Sequence, residues 1–243
     1  MYRTIEPIVR PTFAERSPER IRDIQTVLNL LSMDERLAPV RYPWTDLTSK
    51  DFPLHLVGFG SLMSRDSAER TLHKTDHSLS RPVIAFGAKR VYNYVMSPAS
   101  LSRYNVETLP YERGVLNTFA TGLATDYFNG VSIRIHRDDF ARFTEREFAY
   151  DLIPVVTLPW NNTHGPLELA YSLSCREEYF EGRQMLSNEL VPHPSYHELC
   201  ANACREISSD FLACFEQTTW VATDITPVWN PAASPAKSKL AVS

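Results

Sequence analysis

The central stretch of this chain reads Leu54-His55-Leu56-Val57-Gly58-Phe59-Gly60-Ser61-Leu62-Met63. A run of apolar, β-forming residues leads into two glycines and a small hydroxyl residue, which is the pattern of a strand that ends in a tight turn. Residues 66–72 follow with the pattern of a short helix. The chain has only eight glycines in 243 residues, so two of them around Phe59 indicate that the backbone itself is needed there.

These glycines predict a binding loop. Gly58 and Gly60 allow positive φ angles, and they lack the Cβ atoms that would keep a ligand away from the main chain. The amides of Ser61 and Leu62 would then face outward at a helix start, where they favour a carboxylate or a phosphate. The alternative from the local pattern is a strand that ends in a glycine turn and binds nothing.

The composition is that of a globular protein with small-molecule or protein partners. Hydrophobic residues make up 43% of the chain and aromatic residues 11%, which is enough for a substantial core. A formal charge of −4 without a long basic run gives no electrostatic reason to expect nucleic acid or an anionic membrane as a partner. We find no signal-peptide pattern, no membrane-span window and no framework spacing of the four cysteines, so we expect a cytoplasmic protein with reduced thiols.

The first fifty residues predict a helical extension followed by an arm. Ser17 and Pro18 have the pattern of an N-cap and a first helical residue. Apolar residues then recur on one helical face, which needs something to pack on: Ile21, Ile24, Val27, Leu28 and Leu31. Residues 39–53 have the prolines and polar residues of a linker, which places a boundary near residue 50.

The middle of the chain predicts a series of strands. Apolar or alternating runs occur at residues 82–88, 90–95, 114–122, 130–136, 152–158 and 167–173. Gly87 predicts a bend between the first two runs. Pro154 cannot donate to a ladder, so its strand is expected at an edge or a bulge. A short helix capped by an acid is predicted over residues 138–144.

The last part of the chain predicts helices and a tail. Residues 176–186 and 195–215 are predicted to be helical, and residues 226–243 have the composition of a disordered tail. Strands flanked by helices, rather than alternating with them, favour an α+β domain around a largely antiparallel sheet or barrel. The predicted organisation is an extension over residues 1–50, a main domain over 51–225 and a tail over 226–243.

A second cluster combines acidic and aromatic residues, since residues 143–151 read Phe-Thr-Glu-Arg-Glu-Phe-Ala-Tyr-Asp. This cluster lies between a predicted helix and a predicted strand. A carboxylate beside Phe148 and Tyr150 would lie in a partly apolar pocket that raises its pKa and makes it a proton acceptor near neutral pH. The alternative is a solvated Glu-Arg-Glu surface without a function.

Together the two motifs resemble the γ-glutamylcyclotransferase superfamily, most of all its ChaC-like branch. The stretch Gly58-Phe59-Gly60-Ser61-Leu62 is similar to the Tyr-Gly-Ser-Leu type of loop that ends a strand in that family. The pair Arg146-Glu147, ahead of Tyr150, is similar to the Arg-Glu pair that carries the family's catalytic glutamate. The resemblance extends over roughly residues 54–222 and is specific at these two short motifs.

The resemblance implies a mixed, mostly antiparallel β-barrel flanked by helices, and an enzyme that uses no metal or cofactor. In that family the α-amine of the substrate attacks its own γ-glutamyl carbonyl, which closes a ring and releases 5-oxoproline with an amine or peptide. Carried over, Glu147 would take a proton from the ammonium group and return one to the leaving nitrogen. The amides of Gly58 to Leu62 would bind the α-carboxylate or the developing oxyanion. Tyr150 would orient the substrate, or it packs as a core residue at a strand edge.

Two positions depart from the family pattern. Phe59 replaces the usual loop tyrosine, which removes a hydroxyl from the loop. Phe148-Ala149 replaces the glycine pair that is common before the tyrosine in the ChaC-like branch. The sequence therefore leaves the substrate open between glutathione, another γ-glutamyl peptide and a γ-glutamylamine.

A zinc site is the weaker alternative for the C-terminal region. The spacing of the candidate ligands is compatible with one helix: His193, His197, Cys200 and Cys204. Pro194 separates the first of them from the helix, and the two cysteines fall beside its apolar stripe, so buried core thiols explain the pattern better.

Other classes of function remain as alternatives. Ser61 lacks the Gly-x-Ser-x-Gly elbow of a hydrolase nucleophile, and no lysine follows the glycines as in a phosphate-binding loop. A non-catalytic binding protein that keeps the fold without turnover is the main competing prediction, motivated by Phe59 and the N-terminal arm. The sequence does not determine the oligomeric state.

Overall fold

The computed structural model describes residues 13, 17–33, 53–69, 80–104, 107–147, 150–175, 179–221 and 224–227. The domain boundary predicted near residue 50 and residues 228–243 of the predicted tail lie outside these ranges. Residues 226 and 227, where the tail was predicted to begin, are the end of a strand.

The described strands form a five-stranded barrel, a four-stranded sheet and a short hairpin. Their bounds in chain order are β1 (Leu54–Gly58), β2 (Arg81–Phe86), β3 (Ala88–Val95), β4 (Gly114–Ala120), β5 (Tyr127–Ile135), β6 (Asp151–Pro159), β7 (Glu168–Ser174), β8 (Tyr179–Phe180), β9 (Arg183–Gln184), β10 (Thr219–Val221) and β11 (Asp224–Pro227).

The barrel is a closed sheet with the strand order β1-β5-β2-β6-β7. Each sequential pair in that order is antiparallel, and a single parallel bridge between Leu56 and Tyr171 joins β7 back to β1. The second sheet has the order β11-β10-β3-β4, in which β10 and β3 are parallel. The prediction of an α+β fold around a mixed, mostly antiparallel sheet is confirmed.

Gly87 and Pro154 affect the strands in the way that the sequence predicted. Gly87 has a φ of +95° and separates β2 from β3, as predicted. Pro154 pairs with Tyr171 of β7, whereas β2 joins β6 only from Val156 onward. The proline therefore lies where β6 has a ladder on one side, which is where a residue without an N–H is tolerated.

The described helices are α1 (Pro18–Met33), α2 (Arg65–Glu69), α3 (Pro98–Tyr104), α4 (Arg137–Arg146), α5 (Pro194–Ile207) and α6 (Ser209–Gln217). The long helix predicted over residues 195–215 is in fact two helices. Ser208 is extended between them, and its hydroxyl accepts a hydrogen bond from the amide of Phe211, which caps α6. The acidic cap predicted for α4 is also wrong, because His136 occupies the N-cap position.

The helix predicted over residues 176–186 is wrong. The described part of this segment is a hairpin in which β8 and β9 are antiparallel. Glu181 and Gly182 connect them with φ angles of 50° and 76°. A two-residue turn with both φ angles positive matches the right-handed twist of paired strands, so the local turn overrides the helical pattern of the segment.

Helix α1 is packed on the outside of the barrel. Ile24 and Leu28 are buried in an apolar cluster with residues of β2 and β6, including Phe86 and Val156. The side chain of Gln25 also binds the chain after β4, through the carbonyl of Gly122 and the amide of Ala124. The apolar face that the sequence predicted for this helix therefore packs against the barrel wall.

We expect Ile24→Ala to destabilise the protein by about 2–5 kcal/mol, because it removes a fully buried side chain from the contact between α1 and the barrel. Leu30→Ala, on the same helix but 63% exposed, is the matched control and is expected to change stability by less than about 0.5 kcal/mol. Urea unfolding of the full chain measures both. Equal effects of the two substitutions would show that α1 is not docked in solution.

Candidate functional site

The glycine loop follows directly from the end of β1. Gly58 pairs with Val131 of β5, and the chain then turns through a 3-10 helix at Ser61–Met63, closed by a 2.9 Å bond from the amide of Met63 to the carbonyl of Gly60. The first amides of a helical turn have no acceptor within that turn, so their bonds go to groups outside it. The predicted strand and turn are confirmed. A 3-10 turn precedes α2, whose range Arg65–Glu69 overlaps the helix predicted over residues 66–72.

The two glycines are needed for close packing and not for positive φ angles. Positive φ among the described glycines occurs at Gly87, Gly122 and Gly182, so Gly58 and Gly60 do not use the positive φ angles that glycine allows. A Cβ atom on Gly60 would lie 2.4 Å from the hydroxyl oxygen of Tyr196, and one on Gly58 would lie 2.9 Å from the Cβ of Leu62. The missing side chains therefore allow Tyr196 to approach the loop at Gly60 and Leu62 to pack back onto Gly58 within the loop.

Glu147 lies at the end of α4, where it is the C-cap residue. Its amide donates to the carbonyl of Phe143, and its own carbonyl accepts from the amide of Tyr150, both at 2.9 Å. The residue is only 8% exposed. The interpretation of this segment as a fully solvated acidic surface is therefore wrong for Glu147, whereas Glu145, two positions earlier, is exposed.

One pocket brings the two predicted motifs together. Its volume is about 50 Å³, several times the roughly 10–15 Å³ that a single water molecule requires. The predicted loop residues, Glu147 and Tyr150 all line it, together with three residues that the sequence did not indicate. The lining is Gly58, Phe59, Gly60, Ser61, Leu62, Leu116, Glu147, Tyr150, Leu173 and Tyr196.

Aromatic residues form the wall beside Glu147. The ring of Tyr150 stacks on that of Tyr94, with centroids 5.0 Å apart and an interplanar angle of 25°. Burial raises the pKa of Tyr94 to about 12, and burial also raises the pKa of Tyr196 well above its usual value. Both phenols therefore stay protonated at neutral pH. Of the described residues that line the pocket, Glu147 alone carries a carboxylate.

Phe59 contributes to the core as well as to the loop. Its side chain is 5% exposed, and its ring meets that of Phe128 edge-on at 5.9 Å. Phe59 therefore packs against β5. Edge-to-face aromatic pairs of this kind contribute about 0.5–1.5 kcal/mol beyond their burial.

Tyr196 is one of the three pocket residues that the sequence did not indicate. It lies in the first turn of α5, far along the chain from both motifs, and its pattern was that of a helix start after Pro194. The ring reaches the loop because Gly60 has no side chain. Leu116 of β4 and Leu173 of β7 complete the walls, and their apolar patterns were indistinguishable from those of other core strands.

The proposed zinc ligands form part of the core behind the pocket. The hydroxyl of Tyr92 and Nδ1 of His197 are 2.7 Å apart, and Cys200 and Cys204 are fully buried. Burial raises the pKa of both thiols, to about 12 for Cys204. Metal ligation requires thiolates, and no group of three candidate ligands occurs among the described residues. The geometry favours core thiols over a metal site.

Burial of His197 predicts a dependence of stability on pH. Burial, and then the nearby charge of Arg90, lower the pKa of His197 to about 4, whereas an unfolded histidine titrates near 6.5. The unfolded chain therefore binds the proton more strongly, so this contribution is complete above about pH 6.5 and is lost as the pH falls towards 4. The pKa difference corresponds to about 3 kcal/mol.

His197→Gln is expected to flatten the profile of unfolding free energy between pH 7 and 4, measured by urea unfolding at each pH. His164→Gln, at an exposed position, is the control and should keep the slope of the wild type. If His197→Gln leaves the slope of unfolding free energy against pH unchanged, groups other than His197 cause that slope.

Comparisons with known proteins give similarity only at the level of solved structures. No family model matches the chain, and no curated protein matches it. A γ-glutamyl cyclotransferase structure matches at 11% identity and a TM-score of 0.47, over 68% of this chain and 87% of the other. A yeast γ-glutamyl cyclotransferase specific to glutathione matches at 13% and 0.40, over 67% and 94%. A solution structure from Arabidopsis thaliana matches at 14% and 0.37, over 63% and 78%.

Within the described ranges, no helix has the length and apolar character that crossing a membrane requires.

Proposed function

We propose that this chain is a γ-glutamylcyclotransferase-like enzyme. It would convert a γ-glutamyl compound into 5-oxoproline and release the attached amine or peptide. The observation that carries the proposal is that one pocket is lined by a buried acidic residue, Glu147, and by the residues of the loop from Gly58 to Leu62. The order of these motifs along the chain, which resembles that of the family, supports the same reaction.

The chemistry requires a base, an acid and a site for negative charge. Glu147 takes a proton from the α-ammonium group of the substrate, and the freed amine attacks the γ-carbonyl carbon to form a carbon–nitrogen bond. The amide bond to the leaving group then breaks, and the protonated Glu147 returns its proton to the leaving nitrogen. The second proton that the attacking nitrogen loses as it becomes a lactam nitrogen leaves with the released amine, which departs as its ammonium form. The reaction consumes no water and needs no oxidant or cofactor, because all bonding changes occur within one substrate molecule.

The pocket would mainly fix the substrate in a folded conformation. The attacking amine and the γ-carbonyl belong to the same substrate molecule. A pocket that holds them close together therefore lowers the entropic cost of ring closure. The amides of the glycine loop would bind the α-carboxylate or the oxyanion that develops on the γ-carbonyl oxygen. Tyr150 and Tyr196, which line the pocket, would orient the glutamyl part of the substrate between Glu147 and the glycine loop.

The finer assignment is also a proposal. We place the chain nearest the ChaC-like branch, with glutathione, another γ-glutamyl peptide or a γ-glutamylamine as substrate. We infer a small-molecule substrate in the cytoplasm and no nucleic acid or membrane partner.

Incubation with a panel of γ-glutamyl compounds tests the proposal. The panel contains glutathione, γ-glutamyl dipeptides and γ-glutamylamines, and chromatography with mass detection measures 5-oxoproline. We expect at least one member to yield 5-oxoproline in a stoichiometric ratio to the released amine or peptide. Binding of panel members without any product would instead support the non-catalytic alternative.

A further inference from the structure

Arg90 is a fully buried cation behind the glycine loop. It lies on β3, its side chain is 0% exposed, and an Nη1 proton points at the carbonyl oxygen of Phe59 at 3.5 Å. Its other hydrogen bonds go to Thr219 Oγ1 at 2.8 Å, Asn129 O at 2.6 Å, Asn129 Oδ1 at 3.0 Å, Phe215 O at 3.1 Å and Thr218 Oγ1 at 3.1 Å.

Every one of these acceptors is neutral. They are carbonyl, amide and hydroxyl oxygens, and no ion pair with Arg90 occurs among the described residues. The rings of Phe215 and Phe128 lie 4.2 and 5.7 Å from the guanidinium carbon and add only quadrupole attraction. The guanidinium group is therefore hydrogen-bonded but not neutralised, and arginine remains protonated in proteins.

An uncompensated buried charge is costly, and an apolar side chain of similar volume is usually at least as stable. The charge also acts on its surroundings. It contributes to lowering the pKa of His197, and it opposes the rise that burial causes in the pKa values of Cys200 and Cys204. The positive potential of Arg90 therefore reaches His197, Cys200 and Cys204. These residues are buried, and a region of low dielectric constant screens the potential only weakly.

The contact with Phe59 also orients the loop. The C=O and N–H of a trans peptide point in opposite directions. A carbonyl of Phe59 that faces Arg90 therefore directs the amide of Gly60 away from the guanidinium group, and Gly60 lines the pocket.

We propose that Arg90 is a positioning residue that makes the glycine loop selective for an anionic group, namely the α-carboxylate of the γ-glutamyl substrate. The inference rests on the proposed function. Arg90 does not touch the substrate. It fixes the peptide between Phe59 and Gly60 and supplies the positive potential that a carboxylate bound to the loop amides experiences.

The test compares a carboxylate with its neutral analogue. Titration calorimetry measures the dissociation constants of 5-oxoproline and 5-oxoprolinamide, which differ only in the charge of the group that faces the loop. The wild type is expected to prefer the anion, and Arg90→Met to reduce this preference about tenfold or more, with the loss appearing in KM for γ-glutamyl substrates. Arg90→Lys keeps the charge and should retain most of the preference. A purely structural role would weaken both ligands equally.

A second pair of variants keeps Arg90 in place, in case Arg90→Met fails to fold. Thr218→Asp puts a carboxylate beside the guanidinium group and neutralises it, whereas Thr218→Asn has the same size without the charge. The preference for 5-oxoproline over 5-oxoprolinamide should fall in Thr218→Asp and persist in Thr218→Asn.

The outcomes separate the two proposals. If the wild type forms 5-oxoproline and the preference is unchanged in Arg90→Met and Thr218→Asp, the role of Arg90 is refuted and the enzyme assignment stands. If the wild type neither forms nor binds 5-oxoproline, the proposed function fails, and the role of Arg90 fails with it.

Discussion

Glu147→Gln is expected to lower the rate of 5-oxoproline formation by about 100- to 10,000-fold, which is the usual contribution of a general acid–base residue. Glutamine has nearly the same shape as glutamate but cannot accept the proton of the ammonium group. Glutamine also keeps the backbone bonds of this residue to Phe143 and Tyr150, and it fills nearly the same volume, so we expect the fold to remain intact. Turnover of a γ-glutamyl substrate and a thermal unfolding scan measure the two effects.

Glu145→Gln is the matched control, because Glu145 lies on the same helix but is exposed. It makes the same chemical change without removing a carboxylate from the pocket, and its rate should stay within about twofold of the wild type. A Glu147→Gln protein that forms 5-oxoproline as fast as the wild type would refute the role assigned to this residue.

Gly60→Ala is expected to reduce kcat/KM by about 10- to 100-fold and stability by about 1–3 kcal/mol. The new Cβ atom would lie 2.4 Å from the hydroxyl oxygen of Tyr196, a distance that no relaxed structure accommodates. Tyr196 is buried, so its ring has little room to retreat, and the loop itself must shift within the pocket. Steady-state kinetics and urea unfolding measure the two losses.

A second substitution distinguishes this clash from other causes. Tyr196→Phe removes the hydroxyl, after which the nearest remaining atom, Cζ, is at 3.5 Å, an ordinary contact. The double variant Gly60→Ala/Tyr196→Phe should therefore be as stable and as active as Tyr196→Phe alone. A double variant as impaired as Gly60→Ala would show that the glycine is needed for a reason other than the approach of Tyr196.

The sequence predicted the elements whose signals are local. The strand that ends at Gly58, the bend at Gly87 and the helix from Pro18 each follow from a run of a few residues with one dominant preference. The segment over residues 176–186 went wrong because its turn depends on two positive φ angles, at Glu181 and Gly182, that outweigh helical periodicity. The break at Ser208 was missed because a capping serine inside an apolar stripe resembles an ordinary helical position.

The candidate site was predictable only as two motifs. Gly58 to Leu62 and Glu147 could be assigned to one pocket through the family resemblance, since neither motif contains information about its distance from the other in space. Tyr196 and Arg90 reach the loop from α5 and β3, and nothing in their local sequence distinguishes them from a helix start and an alternating strand. Long-range convergence of this kind is determined by packing of the whole domain.

Turnover in water enriched in oxygen-18 distinguishes cyclisation from hydrolysis most directly. The wild type is given a γ-glutamyl substrate in this water, and mass detection measures the label in 5-oxoproline and in glutamate. Cyclisation by the α-amine uses no water, so we expect unlabelled 5-oxoproline and an equal amount of released amine or peptide. Labelled glutamate would show that water is the nucleophile, and it would refute cyclisation as the reaction of this pocket. The absence of 5-oxoproline from every γ-glutamyl compound tested would refute it as well.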